Sequence, residues 1–428
     1  MRGRERGAAR KRGHRSLIAD GLDGRALARQ TLPMASPRRL LKAHIFTTQI
    51  NDATHRVTTL ELFFDLVYVF AFTQITSWIA HEHSWRGTAQ GLLVLAILWW
   101  TWVAWSWLGN VMRADRGAPL AAFITSAAAA FAIALTIRSV WEAEGGTLAP
   151  MTFAGFYLAI RVIHALVYLW GARGDSVLFK QILVTAAAWI PAAALLFVGA
   201  LLAPEQRLWW WAGTLALDLG ATWILAIKGP GWRVHSGGHF AERFGLIVIL
   251  ALGESVVAVG VAAESIALSP QLIGIAVLGV LTAVALWWPY FKDIGPTLED
   301  AIIEAGPRRK VDIARAWYTY LHLPLVAGVI LSAAGVEQAV SALEHHAHAG
   351  VAAVMLAAGA ALFSAKGALL MGLAQGEWRW LAASAAFFAT GALWLPLLDA
   401  VPAIAVTAAA LAIVGLATPR ATREPTSV

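Results

Sequence analysis

What most constrains this chain is a succession of apolar stretches, each long enough to cross a bilayer and each bounded by glycine, proline or charge. A hydrocarbon core of ~30 Å takes roughly 20 apolar residues in a helix, and only α-helices or closed barrels satisfy their own backbone in lipid. Runs of this kind predict helices near 57–80, 88–108, 118–140, 151–171, 178–202, 208–227, 241–263, 271–291, 316–336, 349–374, 379–397 and 399–417. The expected fold is an all-α polytopic membrane protein of about twelve transmembrane helices. Composition agrees, since 59% of the 428 residues are hydrophobic and 14% charged, too apolar for a soluble domain.

The charges sort by side. The N-terminal region and every second loop hold Arg113, Arg116, Arg173, Lys180, Lys228, Arg233, Lys292, Arg308, Arg309, Lys310, Arg315 and Arg379, whereas the alternate loops hold only Arg86, Arg138 and Arg207. Positive residues accumulate in cytoplasmic loops, so both termini are expected in the cytoplasm. Residues 1–56 read as a basic, disordered cytoplasmic segment, 57–417 as the transmembrane domain and 418–428 as a cytoplasmic tail. Met34 opens MASPRRLLKAHIF, a natural basic leader, so residues 1–33 are read as a mis-assigned start. Between the turn signals Gly295-Pro296 and Gly306-Pro307 a short surface helix is expected.

The absence of cysteine excludes disulfides, thiolate catalysis and Cys-based metal sites together. A net charge of +7 that lies in loops points to a membrane surface and not to nucleic acid. No HExxH, GxSxG, Walker or dinucleotide pattern occurs, so neither a catalytic residue nor a cofactor is assigned. The histidines of His81-Glu82-His83 and Glu344-His345-His346-Ala-His348 are solvated loop residues, and no metal site is assigned to them. The expected partners are the lipid bilayer and a small ion or solute, with nothing in the chain specifying an oligomer.

Against this apolar background the polar residues inside spans stand out. The first stretch, VTTLELFFDLVYVFAFTQITSWIA, carries Glu61, Asp65 and Gln74. A carboxylate near the bilayer centre costs at least ~2.5–3.5 kcal/mol, so these groups should face protein or a water-filled cavity. Glu61 and Asp65, spaced i,i+4, share one face about 6 Å apart along the axis. Two carboxylates so close are not expected to ionise independently, which suits a proton relay or a cation ligand. The alternative is architectural, with Glu61 in the headgroup region and Asp65 neutralised by an arginine of a neighbouring helix.

The seventh stretch carries a second constellation, His239-Phe-Ala-Glu242-Arg243-Phe244-Gly245, and then Gly253-Glu254-Ser255. Glu242 beside Arg243 reads as an ion pair at the membrane surface. At 1.5 Å per residue Asp65 lies roughly 12 Å into its helix and Glu254 roughly 20 Å into its own, so the two acids are expected to bracket the midplane. A shift of 181 residues lays Glu61-Leu-Phe63 on Glu242-Arg-Phe244, as a parallel duplication of six helices would do. Arg161 and His164, one turn apart, are candidates to answer the acids of helices one or seven. Asp218, His322 and Lys366 are further polar residues within spans, Pro324 should disturb its helix, and Trp99, Trp100, Trp102, Trp105 and Trp107 read as a packing face.

ELFFDLVYVFAF, preceded by His55-Arg56, and HFAERFGLIVILALGES resemble the two signature segments of the bacterial low temperature requirement A (LtrA) family. Trp99-Trp100 and Trp105, leading to Asn110, Arg113 and Asp115, form a looser third match. The resemblance runs from about His55 to about Pro324, with Trp317, Tyr320 and His322 inside it. It implies a multi-helix protein of the bacterial inner membrane whose family name records a cold-growth phenotype, and no established reaction.

The residues themselves leave three readings open. The first is a transporter or channel for a small ion or solute, centred on Glu61, Asp65, Gln74, Glu242, Arg243 and Glu254 and supported by His55, Asn110, Arg161, His164, Asp218, His239, Trp317 and His322. The second is a membrane-embedded lipid-processing enzyme using His322 or Glu254 as acid or base. The third is a sensor or scaffold that responds to the state of the bilayer.

Overall fold

The computed structural model describes residues 55–417 apart from 83, 143–145, 229–231, 265 and 346–349. Expectations for residues 1–54 and 418–428, and for the loop histidines His83, His346 and His348, lie outside the described residues. The chain is a succession of helices: α1 Thr59–Glu82, α2 Trp85–Val111, α3 Gly117–Thr136, α4 Leu148–Gly171, α5 Ser176–Leu201, α6 Pro204–Lys228, α7 Gly237–Ala263, α8 Pro270–Pro289, α9 Gly295–Glu304, α10 Pro307–Ile313, α11 His322–His345, α12 Gly350–Leu373, α13 Arg379–Trp394 and α14 Ala400–Ala417. Among the described residues eleven segments are long and apolar enough to span a membrane, and Ala400–Leu416 is a shorter apolar helix. All twelve expected spans are therefore present as helices.

Caps set several boundaries. Ser84, Ser236 and Ser269 each accept a backbone N–H of the first turn of α2, α7 and α8, and Asp175 accepts those of Val177 and Leu178 at α5. Asp175 also pairs with Arg233 at 2.9 Å. The Leu178 N–H, with Arg233 nearby, holds its carboxyl below the usual carboxylate range. In the loop after α2 the Arg113 side chain does the same for Asp115.

The short helix expected between Gly295-Pro296 and Gly306-Pro307 is present as α9, Gly295–Glu304, and a second, α10, follows it. Neither is a separate surface element, because both continue spans: α8 passes through a π turn, Tyr290–Ile294, into α9, and α10 through a second, Ala314–Tyr320, into α11. Pro296 and Pro307 sit in the first turns of α9 and α10, where the missing N–H costs nothing. Pro324 lies in the first turn of α11, just after the second π turn. Leu321 N–H reaches Ala316 O instead of the α-helical Trp317 O, and the freed Trp317 carbonyl accepts His322 Nδ1–H at 2.9 Å.

Two segments form the centre of the bundle. Of the most apolar windows, 83% of that in α2 and 89% of that in the α10–α11 segment is buried, against 17% for α6 and 28% for α5 and for α13. The peripheral helices thus offer their side chains to lipid, as Leu183, Ile190, Ile224 and Leu393 do. The tryptophans of α2 are a packing face: Trp99, Trp102 and Trp105 are buried against Phe64, Phe123 and Phe244. Helices α11 and α12 approach to backbone contact at Gly328, Gly335 and Gly359. A Cβ at Gly359 would stand 2.6 Å from Gly328 O, and one at Gly335 2.9 Å from Ala352 O, so the seam exists only because these residues are small.

Candidate functional site

Helices α1 and α7 lie side by side and run in the same direction. Three cross-helix pairs establish this, Glu61 with His239, Asp65 with Arg243 and Thr76 with Glu254, each 178 residues apart. The i,i+4 spacing of Glu61 and Asp65 on one helix therefore meets the i,i+4 spacing of His239 and Arg243 on the other. The result is a two-by-two ionic lattice, and all four side chains are fully buried.

Glu61 is held at both oxygens. Oε2 accepts Thr58 N–H and Thr58 Oγ1–H, each at 2.9 Å, while Thr58 Oγ1 accepts Glu61 N–H, the reciprocal capping box of Thr-x-x-Glu. Oε1 accepts His239 Nε2–H at 3.0 Å and lies 3.7 Å from Arg243 Nη1. Gly109 of α2 opens the space for it, since a Cβ there would stand 2.3 Å from Oε1.

Asp65 Oδ1 accepts Trp102 Nε1–H at 2.7 Å and is 2.9 Å from Arg243 Nη2. Its Oδ2 is buried without a hydrogen-bond partner. The Arg243 guanidinium also lies 5.5 Å from the centroid of the Trp102 ring, so one indole serves both members of the pair.

Asn110 fixes the state of His239. Its Oδ1 accepts the backbone N–H of His235 at 2.8 Å, which orients the amide. Its Nδ2 then donates to Ser236 O at 2.6 Å and faces His239 Nδ1 at 3.3 Å. With a donor facing Nδ1, the imidazole directs Nε2–H toward Glu61. The lattice thus sets two carboxylates against one guanidinium and one imidazole.

His55 stacks on His239 with ring centroids 4.9 Å apart, and ligand atoms of His55, Glu61 and His239 lie within 4.8 Å of one another. That donor set fits a transition ion poorly. Glu61 already faces Arg243, and His239 Nδ1 faces an amide donor, so a dication would have to displace both arrangements.

A second polar layer lies eleven residues further along α1, about 16 Å at 1.5 Å per residue. Thr76 Oγ1–H donates to Glu254 Oε2 at 3.1 Å, and Glu337 of α11 is near enough for the two carboxylates to repel. Glu254 is 1% and Glu337 4% exposed. Glu254 Oε1 and Glu337 Oε2 have no hydrogen-bond partner. Unlike the lattice, this layer contains no buried arginine among the described residues. The basic groups near it are at its exposed mouth, with His81 Nδ1 3.7 Å from Glu337 Oε1 and Arg138 donating to Ser77 Oγ at 3.1 Å.

Several expected pairings are corrected. Glu242 and Arg243 do not pair, because adjacent helical residues point about 100° apart. Arg243 turns inward to Asp65, while Glu242 accepts Val57 N–H at 3.1 Å and lies 3.8 Å from Arg56 at the end of α1. Arg161 and His164 do not answer helices one or seven. Arg161 pairs with Asp218 at 3.0 Å, Tyr157 donates to the same carboxylate, and His164 Nε2–H donates to Ala104 O at 2.9 Å. Asp65 and Glu254 belong to separate layers. Gln74 is half-buried and joins neither.

His322 sits within the core, its Nε2 accepting Tyr290 O–H at 3.0 Å, and Trp317 is buried beneath Arg309. The sequence carries no expectation for Thr76 or Glu337, and Trp102, read there as part of a packing face, also donates to Asp65. The signal for Glu337 was Val-Glu-Gln-Ala within an apolar stretch, hidden because the expected helix ended at 336 while α11 runs to His345.

The family described as "Bacterial low temperature requirement A protein (LtrA)" matches residues 56–416. An uncharacterized protein of Rhizobium meliloti (strain 1021) is 28% identical over 283 residues, covering 64% of this chain and 67% of that protein. No solved structure matches.

Proposed function

The chain belongs to the bacterial low temperature requirement A family, and on that premise we propose that it carries a small cation or a proton across the bacterial inner membrane along the α1–α7 seam. The observation that carries the reading is the second layer. Glu254 and Glu337 are buried within spans, each with an oxygen lacking a partner and neither with a buried basic neighbour. Two carboxylates in that setting need a proton or a cation to balance them. Thr76 supplies a hydroxyl oxygen beside them, and an all-oxygen set suits a hard ion.

In this reading the layer is the exchange site and the lattice is the fixed end of the path. Arg243 holds Asp65 while His239 and Thr58 hold Glu61, which keeps α1 and α7 in register. The charge asymmetry of the loops then puts the lattice in the cytoplasmic half and the mouth at His81 outside. The low-temperature requirement in the family's name would follow from loss of that transport.

The test is flux into liposomes holding the full chain under an imposed ion and pH gradient, comparing the parent with Glu254→Gln, Glu337→Gln and Asp65→Asn. The parent should conduct, and the two layer variants should lose about tenfold or more in rate, equivalent to ~1.4 kcal/mol of barrier. No flux in the parent, or equal flux in all four proteins, ends the transport reading.

A further inference from the structure

Near the start of α7 a cavity of about 310 Å³ lies among α7, the π turn Tyr290–Ile294, α9 and the π turn before α11. That volume falls at the lower end of the ~300–1,000 Å³ typical of ligand pockets. One face of α7 forms a wall, with Glu242, Gly245, Leu246 and Ile249 at helical spacing. It grades from charged to apolar over the ~10 Å between Glu242 and Ile249, at 1.5 Å per residue. Phe291 extends the apolar part, and Ile249 is 42% exposed within a span, open to acyl chains. Gly245 leaves room in the wall, since a Cβ there would meet only Phe291, at 3.9 Å.

The polar end holds three charged side chains that answer one another loosely. Arg56 Nη1 stands 3.8 Å from Glu242 Oε2 and 3.9 Å from Glu299 Oε1, both beyond hydrogen-bond distance. Glu242 Oε2 accepts Val57 N–H, but among the described residues no hydrogen bond reaches the Glu299 carboxylate or leaves the Arg56 guanidinium. Two carboxylates against one guanidinium leave an excess of negative charge.

At the inner end the Tyr290 hydroxyl is committed to His322. Tyr318 is 1% exposed, and its hydroxyl is buried without a partner. A buried hydroxyl left unpaired costs about 1–3 kcal/mol, so the cavity has a donor to satisfy inside as well as charges at its mouth. The sorting of charged loops makes this the cytoplasmic end of α7, which sets the three charges at head-group depth and Leu246 and Ile249 at the depth of acyl chains.

We propose that this cavity binds a phospholipid whose head group carries a primary ammonium. The ammonium, with three donors, lies between Glu242 and Glu299. The phosphate meets Arg56 in charge-assisted hydrogen bonds, an ester carbonyl accepts from Tyr318, and an acyl chain runs along Leu246, Ile249 and Phe291. The inference does not depend on transport, because none of these residues belongs to the Glu254–Glu337 layer.

The test is calorimetric titration of the full chain in detergent with three probes. The first is dihexanoyl phosphatidylethanolamine; the second is dihexanoyl phosphatidylcholine, whose N-methyl groups replace the ammonium hydrogens; the third is phosphoethanolamine, the head group without chains. Saturable binding of the first is expected, with the other two weaker by about tenfold or more. Glu299→Gln removes a carboxylate and Gly245→Leu fills the cavity, and each should weaken the phosphatidylethanolamine by about tenfold. The Glu299 side chain is 38% exposed, so Glu299→Gln should leave the melting temperature unchanged, which separates a binding role from a structural one. No saturable binding of the phosphatidylethanolamine by the parent, equal affinity for the phosphatidylcholine, or unaltered affinity in Glu299→Gln overturns the proposal. Phosphoethanolamine bound as tightly as the lipid also overturns it, by making a free head group the ligand.

Discussion

Arg243 shows how much of this protein rests on single buried groups. It is the sole guanidinium of the lattice and faces both Glu61 and Asp65 with no exposure to solvent. Removing one member of a buried ion pair costs about 3–5 kcal/mol, because the partner stays buried and uncompensated. Arg243→Gln should therefore lower the unfolding temperature in detergent, followed by tryptophan fluorescence, more than any exposed arginine substitution. Adding Asp65→Asn should recover part of the loss, because one of the stranded charges is then gone. If the double variant is no more stable than Arg243→Gln alone, the pairing assigned to Asp65 is wrong. Gly109 offers a subtler probe. A methyl group 2.3 Å from Glu61 Oε1 must push the carboxylate off His239, so Gly109→Ala should destabilise the fold, whereas alanine at Gly155, where a Cβ would meet nothing within 4 Å, should be tolerated.

Among the elements, α11 and α12 make the tightest seam, and it depends on volume alone. Leucine at Gly359 would drive side-chain atoms into Gly328 O and Ser332. Overpacking of this kind costs about 1–3 kcal/mol or more, so Gly359→Leu should lower the thermal midpoint, and Gly372→Leu, with 3.9 Å to its nearest neighbour, should not. The start of α5 carries a pH dependence. The Asp175 carboxyl is held below its usual range by the Leu178 N–H and by Arg233. Its ionic contribution is thus fully present above the ordinary aspartate pKa of about 3.9 and is lost as pH falls through the lower folded value. Asn caps a helix as well as Asp does, so Asp175→Asn isolates the ion pair. The difference in unfolding temperature between parent and variant should hold from pH 8 to 5 and shrink below about pH 4; a difference that persists in acid would show that the charge contributes nothing.

At the scale of the whole molecule, the charge asymmetry of the loops makes a topological prediction that a cysteine-free chain is well suited to test. Arg308→Cys and Glu142→Cys place single thiols in α10 and in the segment after α3, on opposite expected sides. A membrane-impermeant maleimide added to intact cells should label the Glu142→Cys variant alone, and the Arg308→Cys variant only after the membrane is opened. Labelling of both from outside would overturn the assignment of sides. The same architecture makes α2 a partition, with Trp102 turned toward the ionic lattice and Trp100 toward Tyr320.

The twelve helices were legible in the sequence because spanning length and hydropathy are local properties that lipid enforces on each segment separately. The i,i+4 spacing of Glu61 and Asp65 was legible for the same reason, as one helix fixes it. Which charge answers which was not. Glu242 adjoins Arg243 in sequence yet points away from it, and Arg161 serves Asp218 of α6 instead of the acids of α1 or α7. Glu337, beyond the expected end of its helix, reaches Glu254 only because α11 packs against both α1 and α7. By itself the sequence determined that the chain crosses the membrane and where it carries buried charge. Only the tertiary structure decided how those charges combine, since their pairing depends on helix rotation and register, which are set by contacts between segments far apart in the chain.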